Sequence, residues 1–196
     1  MRLRSEVPVA GTLVLVLPLL FAACGGHPVA ATATNVPGTW TTYRSPRYHF
    51  AIAYDPRLYR ASTKVVAGQL ILYLDRRHTH GTIKIAAVPQ DDPPGKRFVR
   101  QTLAAWGKGK LDTKSALGQS NSWSEYVAGA DSATWTALNG VRGVRMNAHT
   151  VKERGVSYVL MHGDSIYSVT AAAPTAAWPA VSSQLEAVAR TFRVTP

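Results

Sequence analysis

Residues 135–172 read WTALNGVRGVRMNAHTVKERGVSYVLMHGDSIYSVTAA, and this stretch decides the fold. Asn139-Gly140 lies between two runs of β-forming residues, which is the strongest short signal for a two-residue hairpin. Gly163-Asp164 lies between two further runs and indicates a second hairpin. The stretch therefore predicts an antiparallel run of four strands: Trp135–Leu138, Val141–Val151, Val156–His162 and Ser165–Ala172.

Three more strands are predicted upstream of this run. Large apolar residues alternate with small or polar ones from Tyr48 to Tyr54, and Asp55-Pro56 ends that strand as a turn. Leu70–Leu74 is apolar on both faces, which favours a strand in the middle of a sheet. Thr82–Val88 follows as another strand after the turn at Arg76–Gly81.

Two helices complete the prediction. After Asp91–Pro94, the residues Val99, Leu103 and Trp106 recur at the spacing of one helix face, and Gly107 is a plausible stop. The C-terminal helix has the apolar stripe Trp178, Val181, Leu185, Val188 and Phe192. Thr175 suits its N-cap and Pro179 its first turn. Strands that cluster in sequence, with helices that each have one apolar face, predict an α+β fold with a mainly antiparallel sheet.

Several of these motifs together resemble a known family. The segment Trp40–Pro46 (WTTYRSP) leads into Tyr48–Ile52 (YHFAI), the central hairpin has Leu138–Val141 (LNGV), and the last helix ends at Thr191-Phe192. This pattern resembles actinobacterial lipoproteins of the PsbP/Mog1-like group, of the LpqN type, over roughly Trp40 to Phe192. The resemblance implies a curved antiparallel sheet flanked by helices, and a binding or accessory role. It transfers no functional residue, because the matched positions are core and turn residues.

The N-terminus predicts export and a lipid anchor. Arg2 and Arg4 precede a short apolar run, interrupted by glycine and proline, that ends at Cys24, the single cysteine of the chain. A charged start, a short apolar run and small residues before a cleavage site are typical of a secretory signal peptide. The cysteine after Leu20–Ala23 resembles that of bacterial lipoproteins, although Phe21 stands where such signals usually carry leucine. The resemblance implies that Cys24 is lipidated with two or three acyl chains, which holds the protein at the outer face of the bacterial cell membrane.

Two other interpretations of this segment stay open. One is an uncleaved anchor, although the run is shorter than the ~20 apolar residues that a spanning helix usually needs. The other is a plain secretory signal that leaves Cys24 free. The predicted organisation is a signal peptide over residues 1–23, a lipidated N-terminus and flexible tether over 24–39, and one α+β domain over 40–196.

The net positive charge of the chain favours anionic binding partners. The chain has a net charge of +11, and loss of Arg2, Arg4 and Glu6 with the signal leaves +10. A basic exported domain suits anionic lipid or an acidic wall polymer, and export argues against nucleic acid. The candidate anionic-surface residues lie in a stretch without acids: Lys96, Arg97, Arg100, Lys108 and Lys110. The alternative is that these charges simply form a solvated helix face and loop, which is what runs of charge commonly are.

Candidate chemistry elsewhere is sparse. His78 and His80 are two residues apart in a turn and could share a metal, but a zinc site needs three or four ligands and two arginines precede them. His162, Asp164 and Ser165 have the residue types of a hydrolase triad but are adjacent in one hairpin, whereas triad members converge from separate segments. We therefore predict no cofactor and a non-catalytic binding or accessory module, with envelope proteins as further partners. The alternatives are a carrier of a small apolar ligand and an envelope hydrolase.

Overall fold

The computed structural model describes residues 37–89, 93–108 and 130–196. The elements in chain order are β1 (Thr41–Ser45), β2 (Phe50–Tyr54), β3 (Tyr59–Val66), β4 (Gln69–Arg76), β5 (Thr82–Pro89), α1 (Pro93–Gly107), β6 (Ala130–Leu138), β7 (Val141–His149), β8 (Glu153–His162), β9 (Ser165–Pro174), α2 (Trp178–Ala189) and β10 (Arg193–Val194). None of the helices in these ranges is long and apolar enough to cross a bilayer.

Seven strands form one antiparallel sheet in the order β3-β4-β5-β9-β8-β7-β6. The hairpins predicted at Asn139-Gly140 and Gly163-Asp164 are both present, with Leu138 opposite Val141 and His162 opposite Ser165. Strand β7 ends at His149 and not at Val151, because Val151 lies in a turn and is 99% exposed. The prediction of an α+β fold with a mainly antiparallel sheet is confirmed.

The two faces of this sheet bury separate cores. The larger core packs the sheet against α2 and against a second, three-stranded sheet of order β1-β2-β10. The smaller core lies between the other face and α1, and consists of Val99, Leu103, Trp106, Ala133, Val144, Met146, Val159 and Ile166. Alternate residues of each strand point to opposite faces, so one sheet supplies both cores.

The three-stranded sheet joins the two ends of the described chain. Strand β2 pairs with β1 on one side and with the short β10 on the other. Two residues before β10 begins, the Thr191 hydroxyl takes the place of a backbone partner for β2. It accepts a hydrogen bond from the Ala53 N–H at 2.9 Å and lies 2.8 Å from the carbonyl oxygens of Ala53 and Val188.

Helix α2 is also fixed to the sheet by charge. Arg145 of β7 forms an ion pair with Glu186 of α2 at 3.3 Å. Burial disfavours the charge on Arg145, but the neighbouring Tyr158 hydroxyl and the Glu186 carboxylate outweigh burial and raise the pKa of the guanidinium. Asn139 adds two hydrogen bonds, from its side-chain amide to the carbonyl oxygens of Arg190 at 2.8 Å and Phe192 at 2.6 Å. The predicted hairpin turn therefore also holds the segment that follows α2.

Several details differ from the sequence-based expectation. Strands β1, β3 and β10 were not predicted, and β4 lies second from the sheet edge with Ile71 and Tyr73 only half-buried. Helix α1 covers β6 and β7, which leaves that face of β4 less protected. Thr175 is not the N-cap of α2. The cap position is Ala177, which has no side-chain cap, while Pro179 lies in the first turn as predicted.

Two hairpins of the large sheet use the same turn with different residues. Ala67-Gly68 has φ values of 47° and 77°, and Asn139-Gly140 has 46° and 84°. Positive φ at both positions defines a type I′ turn, which asparagine adopts readily and alanine only at a cost in free energy.

Replacing Ala67 by Asn is expected to raise the free energy of unfolding by about 0.5–1 kcal/mol, because the left-handed conformation costs alanine about 1–2 kcal/mol. Urea denaturation measures the change, and an unaltered or lower stability would contradict this account of the turn.

Thr191→Val tests the link between the chain ends. Valine keeps the shape of threonine but leaves the buried Ala53 N–H without its partner. We expect a loss of about 1–3 kcal/mol in the free energy of unfolding. Thr175→Val is the matched control, because Thr175 is exposed and the change should stay within about 0.5 kcal/mol. Equal effects of the two substitutions would show that the Thr191 hydroxyl has no structural role.

Candidate functional site

The large sheet has two ends with different surroundings. We call distal the end that contains the turns Ala67-Gly68, Asn139-Gly140 and Gly163-Asp164, which the strand registers place together. We call proximal the opposite end, where β4 turns into β5 and where the loop after β2 begins. The Arg77 N–H donates to the Leu58 carbonyl oxygen at 2.9 Å, which fixes that loop against the proximal end. The described chain begins at Pro37 beside the first residues of β1, and therefore also at the proximal end.

The histidines predicted as weak metal candidates lie at the proximal end. His78 and His80 are both exposed in the turn between β4 and β5. Within residues 37–89, 93–108 and 130–196, no three His, Cys, Asp or Glu side chains are grouped so that they could hold a metal ion. The structure therefore supplies no third ligand from the described residues for these two histidines.

The basic stretch predicted as a binding surface is divided between several environments. Arg97 and Arg100 are both exposed on α1 and, three residues apart, are neighbours on the helix surface. Lys96 forms an ion pair with Asp164 and so attaches the start of α1 to the distal turn. Lys108 is exposed just beyond the helix. Lys110, like Cys24, lies outside the described residues.

Helix α1 is held in place by its apolar face. Val99, Leu103 and Trp106 are at most 4% exposed, as their helical spacing predicted, and pack against β6 and β7. The helix ends at Gly107, where the sequence placed the stop. Because one face is buried in this way, Arg97 and Arg100 are held on the outer surface of α1.

An arginine and a tryptophan of the first hairpin lie next to this helix. The guanidinium of Arg142 stacks over the ring of Trp135 at 4.4 Å from the centroid. Trp135 is 39% exposed and is a large aromatic at the surface of β6. Its ring also lies so close to Gly107 that a Cβ at that residue would be 2.4 Å from Cε2 of the indole. Trp135 is thus held between the end of α1 and the Arg142 guanidinium.

These residues form an open cleft of about 380 Å³ at the distal end. Its lining is Arg100, Leu103, Ala104, Trp135, Arg142, Met161 and Gly163. Neither Arg100 nor Arg142 has an acidic partner among the residues that the structure describes. A guanidinium keeps its charge at physiological pH and presents planar, bidentate donors to carboxylates and phosphates. The cleft therefore combines two available cations with an apolar wall, an arrangement suited to binding an anion.

A second open cleft of about 400 Å³ lies beside it and contains His49, His162, Ser165, Arg47 and Tyr48 among its lining residues. The Tyr48 hydroxyl donates to the Gly68 carbonyl oxygen at 3.0 Å, and the Tyr167 hydroxyl donates to the Tyr48 carbonyl oxygen at 3.1 Å. The residues with hydrolase-triad chemistry meet here, but His162 and Ser165 face each other across the ladder and Asp164 is paired with Lys96. The observed ion pair gives Asp164 a structural role in fixing α1.

Sequence reasoning missed Trp135 and Arg142 as site residues. The signal was available in the predicted hairpin. A two-residue Asn-Gly turn pairs Ala137 with Arg142 and Trp135 with Val144, so Trp135 and Arg142 are diagonal neighbours on one face. Their proximity to Arg100 could not be predicted in this way, because it depends on how α1 packs across the sheet.

Comparison with known proteins defines the fold. The solution structure of cyanobacterial PsbP (CyanoP) from Synechocystis sp. PCC 6803 is similar with a TM-score of 0.51 and 12% identity, over 89% of this chain and 98% of that one. The chain therefore has a PsbP-like fold, as the sequence resemblance predicted. At 12% identity the likeness concerns the fold alone.

Two further crystal structures are more distantly similar. A protein from Bacteroides thetaiotaomicron VPI-5482 has a TM-score of 0.47 and 16% identity over 81% of this chain and 49% of that one. The protein PA94 of unknown function from Pseudomonas aeruginosa has a TM-score of 0.42 and 13% identity over 81% and 99%. The chain matches no protein-family model and no curated protein sequence, so the lipoprotein group stays a prediction.

Gly107→Ala tests the packing of the cleft wall. The new methyl group would overlap the Trp135 indole, so we expect the ring to move and the stack with Arg142 to be lost. The expected cost is about 1–3 kcal/mol of folding stability, as for other overpacked sites. Near-ultraviolet circular dichroism and the indole N–H resonance of Trp135 report the movement. Lys108→Ala, at the next exposed residue, should leave both signals unchanged; a silent Gly107→Ala would contradict the close approach.

Proposed function

We propose that this protein is an exported, lipid-anchored and non-catalytic binding module of the bacterial cell envelope. The observation that carries the proposal is the distal cleft, where Arg100 and Arg142 face the same open space without an acidic partner in the described chain. The predicted signal and lipidation at Cys24 supply the export and the anchor. The net charge of the mature chain, +10, agrees with an anionic partner.

The nature of the cleft favours binding over catalysis. Its lining consists of arginines, a tryptophan, aliphatic side chains and a glycine. None of these is a nucleophile or a general base at neutral pH, which are the groups that an active site needs. The hydrolase residue types predicted from the sequence, His162, Asp164 and Ser165, line the neighbouring cleft, where Asp164 is engaged by Lys96.

The filled core favours surface binding over transport of an apolar ligand. A carrier needs an enclosed apolar cavity between sheet and helix. In the larger core that space is occupied by the rings of Phe50, Tyr167 and Phe192, which are at most 1% exposed. The two clefts described above are open to solvent. This packing supports recognition at the surface of the domain.

Cys24→Ser tests the anchor. Without the thiol no lipid can be attached, so we expect the variant to fold normally and to leave the membrane fraction when cells are fractionated. The wild-type chain should incorporate labelled palmitate, whereas the variant should not. Membrane retention of Cys24→Ser would instead favour the uncleaved N-terminal anchor.

A further inference from the structure

We propose that Arg100 and Arg142 form a binding site for the phosphate groups of a soluble or wall-borne polyanion. The site deepens the proposed function by naming its ligand class. It depends on the proposed anchor only for the direction in which the cleft faces. Binding of phosphate depends on the residues of the cleft and is expected for the lipid-free chain as well.

Arg142 is prepared to bind before a ligand arrives. Its guanidinium lies 4.4 Å from the centroid of the Trp135 ring, and that ring is held in turn by close packing on Gly107. Stacking uses the face of a guanidinium and leaves its in-plane N–H donors free for oxygen atoms. Less side-chain entropy is then lost when Arg142 binds an anion, because its guanidinium is already oriented.

Arg100 provides a second guanidinium from a different element of the fold. It lies on α1, whereas Arg142 lies on β7, and both line the same open space of about 380 Å³. One bidentate guanidinium is enough for a carboxylate. Two guanidiniums from separate elements can engage different oxygens of one tetrahedral phosphate, so the pair favours phosphate. The apolar side chains of Leu103, Ala104 and Met161 line the same cleft and offer no acceptor that would compete for the guanidinium donors.

The surroundings extend the positive charge beyond one phosphate. Arg97 is exposed one helical turn before Arg100 and has no partner among the described residues. Asp164 follows the cleft residue Gly163, but its charge is offset by Lys96. Several phosphates in succession can therefore be accommodated along α1, which is why we infer a polyanion.

The position of the cleft favours a polymer over membrane lipid as the source of the phosphate. The described chain begins at Pro37 at the proximal end, whereas the cleft is at the distal end. Strand β8 has 10 residues, so the ends of the sheet are separated by about 33 Å. A chain anchored through Cys24 is thus tethered at its proximal end, which leaves the cleft at the free end of the domain. We therefore take a polymer as the phosphate source, and the vesicle measurement described below separates it from a lipid headgroup.

The test measures binding of inorganic polyphosphate to the full chain carrying Cys24→Ser, by isothermal titration at low and moderate salt. Arg100→Gln with Arg142→Gln should weaken binding by about tenfold or more, as expected for loss of charge-assisted bidentate contacts. Lys64→Gln with Lys152→Gln removes the same two charges from exposed residues outside the cleft and should change affinity by less than about threefold, as for a nonspecific charge effect. Arg142→Lys keeps the charge but not the fork and should be intermediate. Circular dichroism confirms that each variant is folded.

Three outcomes would overturn the proposal. One is no binding of polyphosphate by the parent chain. Another is equal weakening by the cleft pair and by the control pair, which would show that only net charge matters. The third concerns the source: if vesicles containing phosphatidylglycerol bind through Arg100 and Arg142 and polyphosphate does not compete, the ligand is lipid. None of these measurements uses the anchor, so failure of the Cys24→Ser fractionation would leave the result for the cleft intact.

Discussion

The larger core depends on contact among three aromatic rings from distant parts of the chain. Phe50 of β2 stacks on Phe192, with ring centroids 5.6 Å apart, and Tyr167 of β9 lies 5.4 Å from Phe192 and 6.3 Å from Phe50. The three rings connect the small sheet, the large sheet and the segment after α2. Aromatic pairs contribute about 0.5–1.5 kcal/mol beyond the burial of their area. Since a single cysteine cannot form an internal disulfide, packing of this kind has to hold the parts of the fold together.

The fold could be predicted where local chemistry agreed with tertiary structure. Asn139-Gly140 predicted its hairpin, and the spacing of Val99, Leu103 and Trp106 predicted α1. The hairpin at Ala67-Gly68 escaped prediction although it has the same backbone geometry, because alanine gives no signal for positive φ. Its strand β3 is exposed over most of its length at the sheet edge and shows no apolar alternation. Strand β10 has only two residues and is defined by its pairing with the edge of β2, which the local sequence does not indicate.

The candidate site was predictable in part for the same reason. Composition identified the basic residues around α1, and helical periodicity placed Arg97 and Arg100 on its outer face. The sequence could not show that Lys96, unlike Arg97 and Arg100, is ion-paired. Its partner Asp164 comes close only when α1 packs on the distal turn. Arg142 is 42 positions from Arg100 in the sequence, and the two meet through a helix crossing a sheet. A linear search for clustered charge does not detect such a pair.

The division into two cores has a consequence for local stability. Among the described residues the larger core contains 24 buried side chains and the smaller one eight, so α1 is the more weakly held helix. Regions with few buried contacts open before the rest of a protein does, and such openings govern hydrogen exchange. Arg100 is on α1 and Arg142 is on the hairpin that α1 covers. An anion bound by both would therefore link the helix to the sheet at the edge of the smaller core. Occupancy of the cleft would then slow amide hydrogen exchange in α1.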